Sequence, residues 1–163
     1  MPASEPLAPV IKTVDVACPR EEAFRFFTEA FGTWWPLATH SCIAYESGHT
    51  DRPASVTFGT CPGGPIVEHG RGGEQHRWGT VLEWNPPGRV VFSWHPGRPE
   101  QTAQRVEVVF APHAAGTRVT LTHSGWEVLG AGAEASRTSY NEGWESVLKT
   151  AFAGFVSDAV TRS

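Results

Sequence analysis

Apolar residues recur along this chain in two rhythms, one of period two and one near 3.6, and the two occupy different stretches. In "PVIKTVDVAC" (Pro9 to Cys18), Val10, Lys12, Val14 and Val16 alternate with Ile11, Thr13, Asp15 and Ala17, a β-branched pattern that predicts a strand. The rhythm then changes. Ala23, Phe26, Phe27 and Ala30 fall at i, i+3, i+4 and i+7, one stripe of a helix. Pro19 at the first helical position, followed by Glu21 and Glu22, suits a helix start, where the dipole favours negative charge. Gly32 is read as the stop, and "TWWP" as a second short helix or corner closed by Pro36.

From His40 to Gly73 the rhythm is weak. Here "ASVTFGT" and "PIVEHG" predict short strands, joined through "CPGG". Four stronger strand patterns follow: "EQHRWGTVLEW", "RVVFSWH", "AQRVEVVFAP" and "TRVTLTHSGW". Their links, Asn85 to Gly88, Pro96 to Gln101 and His113 to Gly116, are of hairpin length, so successive strands must run antiparallel. The last segment restores the helical period. Tyr140, Trp144, Val147, Leu148, Ala151, Phe152, Phe155, Val156 and Ala159 form one long stripe, with Glu142, Glu145, Lys149 and Asp158 off it.

Such a stripe needs a large apolar partner, and a concave sheet face supplies one. The expected class is α+β: a curved antiparallel sheet of about six or seven strands around a long C-terminal helix, with two short helices after the first strand. Residues 1–8 read as a flexible start and 9–161 as one domain. Strand parity assigns Val90, Phe92 and Trp94, then Val106, Val108 and Phe110, then Val119, Leu121 and His123, to the inner face. The facing of Trp84 is not set by this parity.

Charge and composition narrow the function classes. With 13 Lys+Arg against 17 Asp+Glu and no basic run, the chain lacks the footprint of a nucleic-acid binder or a polybasic membrane anchor. No apolar run approaches the roughly 20 residues a membrane helix needs. Cys18, Cys42 and Cys61 form no CxxC pair, which suits a reducing compartment, and "MPASEPLAPVIK" has no leader pattern. A cytoplasmic location is the expectation. Only 18% of residues are charged, yet there are seven Trp. That imbalance turns attention to the rings.

"GTVLEWNPPGRVVFSWH" resembles the Gly-x-x-x-Glu-x-x-Pro-Pro-x-Arg-Leu-x-Phe-x-Trp signature of the SRPBCC superfamily, the START-like, birch-pollen-allergen-like proteins. Within it, the chain resembles the branch of homologues of the heat-shock-protein-90 ATPase activator. "VEVVFAPHAAGTRVTLTHSGW" is similar to that branch's next hairpin, "YNEGWESVLKTAFAGF" to its final helix and "FTEAFGTWWP" to its corner, in the right order from about Val10 to Val160. The resemblance implies a helix-grip fold around an internal apolar cavity. Its functions span lipid and steroid carriers, hormone receptors, polyketide cyclases, oxygenase domains and chaperone activators, so the site must be argued from residues.

Trp34, Trp35, Phe92, Trp94, Trp126 and Trp144 are the ring set. Each alone reads as core, but together they suit the wall of a ligand pocket, apolar with a few placed polar groups. The ligand-binding candidates are Trp34, Trp35, Phe92, Trp94, His123 and Trp144. His123 either orients a polar ligand group, or acts as a weak candidate acid/base, or is a core histidine bonded to Tyr140 or backbone. His69 and His76 fall near Gly-rich turns, at a rim or in solvent. His40, Cys42, His49, Cys61 and His69 lack zinc-ligand spacing, so no metal is expected, and no cofactor. Glu68 and Glu83 form no obvious carboxylate pair; Glu83 reads as a strand-end residue tied to an arginine or backbone.

Three functions follow. The first is binding of a small apolar or amphipathic molecule between sheet and helix. The second, ranked lower, is a cyclase- or hydratase-like enzyme using His123. The third is a chaperone-modulating module, suggested by the family name alone, with homodimerisation left open.

Overall fold

The computed structural model describes residues 7–37, 40 and 53–162. Seven strands, β1 (Val10–Val16), β2 (Pro53–Phe58), β3 (Pro65–Gly70), β4 (Gln75–Asn85), β5 (Arg89–Trp94), β6 (Gln104–His113) and β7 (Gly116–Ser124), form one antiparallel sheet in the order β1-β7-β6-β5-β4-β3-β2. Two short helices, α1 (Arg20–Thr28) and α2 (Phe31–Trp34), follow β1. The C-terminal helix α3 runs through an α-helical Ala133–Ser146, a π-helical Val147–Phe152 and an α-helical Ala153–Arg162. It is the helix-grip arrangement, with the curled sheet closing on α3. Among the described residues, no helix is long and apolar enough to cross a membrane.

Helix α1 departs from the expected pattern in two ways. Pro19 is its N-cap rather than its first residue, and the helix ends at Thr28, so Gly32 is not its stop. Gly32 lies within α2, where a Cβ would meet the Val56 carbonyl oxygen at 2.3 Å. The residue is glycine because α2 presses onto the β2 backbone there. The buried stripe of α1 is also rotated: Ala23, Phe24, Phe27 and Thr28 are buried, while Phe26 is half-buried. Phe24 packs edge-on against Trp84 and Phe110, and Phe26 packs against Phe155 of α3.

The inner-face parity of β5, β6 and β7 holds: all nine named residues from Val90 to His123 are buried. Val91 is buried as well, although it faces outward. Its register partners are Glu83 and Glu107, and Arg89 bridges these two carboxylates at 2.9 and 2.7 Å. Glu83 is thus tied to an arginine, as its strand-end position suggested. The aliphatic stems of such long side chains cover apolar surface while their charged ends stay wet.

Two bulges in β4 re-aim its side chains. Ile66 pairs with Gly79 and Val67 with Arg77, so Trp78 is an extra residue; Val81 pairs with Phe92 and Glu83 with Val91, so Leu82 is another. Bulges redirect side chains in this way. Beyond Leu82, Trp84 lies opposite Val90 and turns to the inner face against Phe24. β7 ends at Ser124, so Trp126 starts a 3-10 turn (Trp126–Gly132) rather than extending a strand.

Candidate functional site

The aromatic residues converge where α2, β4, β5 and α3 meet. Trp35 lies 5.3 Å from Trp78, 5.7 Å from Trp94 and 6.1 Å from Trp144, centroid to centroid. Trp94 in turn lies 5.5 Å from Trp144 and 5.6 Å from Phe92, and Trp34 lies 6.0 Å from Trp35. Most of these pairs are tilted or edge-on, the arrangement that ring quadrupoles favour. The structure therefore joins Trp34, Trp35, Phe92, Trp94 and Trp144 in one buried cluster, with His123 attached through Trp144. Trp126 sits at the far side of His123, stacked on it at 4.0 Å. Trp78, absent from the sequence-based set, belongs to the centre of the cluster.

The indole N–H groups divide into two kinds. Trp34 donates to the Phe26 carbonyl, Trp35 to the His40 carbonyl and Trp144 to His123. Trp78, Trp94 and Trp126 are buried, and their Nε1 atoms have no hydrogen-bond partner among the described residues. A buried polar group without a partner costs about 1–3 kcal/mol. Such groups are rare enough in native proteins that each calls for an explanation. Two of the three, Trp78 and Trp94, belong to neighbouring rings 5.7 Å apart.

His123 is held from both sides. Trp144 Nε1 donates to its Nδ1 at 2.9 Å, and because indole is only a donor, the imidazole proton must sit on Nε2. That Nε2–H donates to Gln104 Oε1 at 3.1 Å, while the Gln104 amide donates to the Thr102 carbonyl. Burial pushes the His123 pKa down to about 3. It is a neutral imidazole of one tautomer, and its partners are Gln104 and Trp144, not a backbone group. The Tyr140 ring lies 4.8 Å away and contributes ring contact. Gln104 was missed because strand parity reports facing but not which polar neighbour reaches across.

A second buried histidine also escaped the sequence reading. His95 Nδ1 donates to the Arg98 carbonyl at 2.9 Å, and its Nε2 has no partner among the described residues. Glu68 is fully buried on β3, sharing a face with Ile66 and opposite Val56 and His76 in register. His69 meets Thr57 Oγ1 at 3.1 Å, and His76 lines a groove at the rim. Burial raises the Cys18 thiol to about 11, so it stays protonated. Cys42 and His49 lie outside the described residues, and no three His, Cys, Asp or Glu side chains within the described ones gather as metal ligands.

A curled sheet gripping a long helix over an aromatic interior defines a helix-grip protein. The pattern of the activator of Hsp90 ATPase homolog 1-like family matches residues 17–156, and the chain belongs to that family. It is similar to the anthrahydroquino-gamma-pyrone synthase Txn09, a structure complexed with SUM, at 32% identity over 83% of this chain and 86% of that one, with a TM-score of 0.54. A Rhodobacter sphaeroides protein shares the fold at 16% identity, covering 96% and 94%, with a TM-score of 0.67. The Aha1 dimer of Colwellia psychrerythraea does so at 15%, covering 88% and 92%, with a TM-score of 0.58. No curated protein matches in sequence.

Proposed function

We propose that this protein binds a small, largely apolar molecule carrying hydrogen-bond acceptors, held against the aromatic cluster between the sheet and α3. The observation that carries the reading is the pair of unpartnered donors on Trp78 and Trp94, two neighbouring buried rings. An acceptor-bearing ligand would satisfy them, and the surrounding rings would supply roughly 25 cal/mol per Å² of apolar surface removed from water. Trp34, Trp35, Phe92 and Trp144 are the apolar contacts in this reading, with His123 holding the Trp144 indole in place. The likeness to a protein named an anthrahydroquino-gamma-pyrone synthase supports an oxygenated aromatic ligand.

The same likeness favours a second reading, catalysis on that ligand. Both nitrogens of His123 are occupied by Gln104 and Trp144, so proton transfer through it in this reading requires one of those bonds to open.

The experiment is a titration of fatty acids, steroids and oxygenated aromatic polyketides, read by tryptophan fluorescence and thermal shift. Saturable quenching is expected with the polyketides. Trp94→Phe removes one donor and keeps an aromatic ring, so affinity for the oxygenated ligand should fall about tenfold. Absence of saturable binding in every class would overturn the proposal. Turnover lost in His123→Gln with binding retained would select the enzymatic reading.

A further inference from the structure

Away from the rings, a groove of 340 Å³ opens between the start of β4 and the β5–β6 connection, lined by Gln75, His76, Arg77, Gly97, Arg98 and Pro99. Its walls carry two guanidiniums, an imidazole and an amide, and no carboxylate. Arg89, Arg105 and Arg118 are each matched with carboxylates elsewhere on the sheet. Among the described residues, Arg77 and Arg98 have no carboxylate partner. Arg77 reaches Thr80 Oγ1 at 2.7 Å and the Gly79 carbonyl at 3.4 Å, and Arg98 reaches Ser136 Oγ at 3.4 Å. These contacts are to neutral oxygens. Of the neighbouring acids, Glu74 folds back over Gly70 and Gly72, and Glu100, on the turn after Pro99, is not among the lining residues.

The groove is also preorganised, and buried His95 is its clasp. The His95 amide donates to the Trp78 carbonyl at 2.6 Å, fastening the connection to β4 beside Arg77. Its Nδ1 donates to the Arg98 carbonyl, and the Arg98 amide donates back to the His95 carbonyl at 3.0 Å. Gly97, at φ +71°, makes the tight turn between them that a side chain would strain. The backbone segments that carry the two arginines are thus fixed on either side of one concavity before any ligand arrives, which lowers the ordering cost of binding.

We infer that this groove binds an oxyanion, the carboxylate or phosphate of a small organic acid. Guanidinium forks match both groups through paired charge-assisted hydrogen bonds. The volume stands at the small end of ligand pockets, which run from about 300 to 1,000 Å³, and leaves room for more than a bare ion. The site is separate from the ring cluster and stands or falls without it.

Phenyl phosphate, benzoate, inorganic phosphate and neutral benzyl alcohol, each titrated at low and high salt and followed by calorimetry and arginine side-chain NMR, test it. At low salt one or both aromatic anions bind saturably and shift the Arg77 and Arg98 signals, while benzyl alcohol leaves those signals unmoved. The preferred anion identifies the head group, and inorganic phosphate matching phenyl phosphate assigns the affinity to that group alone. Arg77→Gln and Arg98→Gln each weaken binding about tenfold, with the thermal midpoint unchanged and partial recovery in Arg77→Lys. No saturable binding of any anion, or unchanged affinity in the double Gln variant, overturns the assignment.

Discussion

His123 is a buried imidazole whose proton is fixed by its neighbours, and its titration is coupled to folding. In the unfolded chain it protonates near 6.5, in the folded one only near 3. The unfolded state therefore binds more protons between those values, and stability present above 6.5 is lost as the pH falls. From pH 7 to pH 5, before the carboxylates of the unfolded chain titrate appreciably, His123 should cost about 2 kcal/mol of unfolding free energy. Burial lowers His40 as well, so that residue adds to the slope in the same direction. Urea unfolding of His123→Gln at the two pH values should recover most of the difference. An unchanged slope would move the effect to other groups.

At the scale of elements, α3 is fixed at its middle and tied along its length. Phe152 contacts Phe27 of α1 at 5.4 Å and Trp34 of α2 at 5.1 Å, so one side chain joins three helices. Phe152→Ala should cost about 3–5 kcal/mol in chemical denaturation, the range for emptying a buried ring site. Glu145, held well down at about 2 by Lys12 and Lys149, adds an exposed tie from α3 to β1. How far the elements were legible depended on regularity. The strands β6 and β7 follow strict alternation, β5 departs from it only at buried Val91, and their short links left one pairing. β4 breaks alternation twice, at Trp78 and Leu82, so the facing of Trp84 and the place of Trp78 among the rings were unreadable. The π-helical turn within α3 left no mark either, because Val147, Leu148, Ala151 and Phe152 keep the ordinary helical spacing through it.

For the whole molecule, binding and stability should be linked. A ligand that occupies the folded state alone, at 100 times its Kd, adds about 2.7 kcal/mol, or roughly 5–10 °C in the midpoint for a domain of this size. A polyketide that quenches tryptophan fluorescence without raising the midpoint would place its contact away from the folded ring cluster. The candidate residues Trp34, Trp35, Phe92, Trp94, His123 and Trp144 were legible as large or polar groups on inward positions, and they do meet. Their hydrogen bonds were not legible. Which indoles find carbonyls and which stay unpartnered depends on segments far apart in sequence, as in the bond from Trp34 to Phe26 and the one from Trp144 to His123.

The sequence by itself determined the order of elements, the antiparallel pairing forced by short links, the inner faces of the regular strands and the family. The first three rest on local rules, period and turn length, that operate over a few residues, and the family on the resemblance of several motifs in their order along the chain. Only the tertiary structure decided that Trp78 joins the rings, that Gln104 and Trp144 fix the His123 tautomer, and that Arg77 and Arg98 share a groove without a carboxylate. Those facts arise where bulges reset the register and where separate segments are packed into contact, and neither event leaves a periodic trace in the chain.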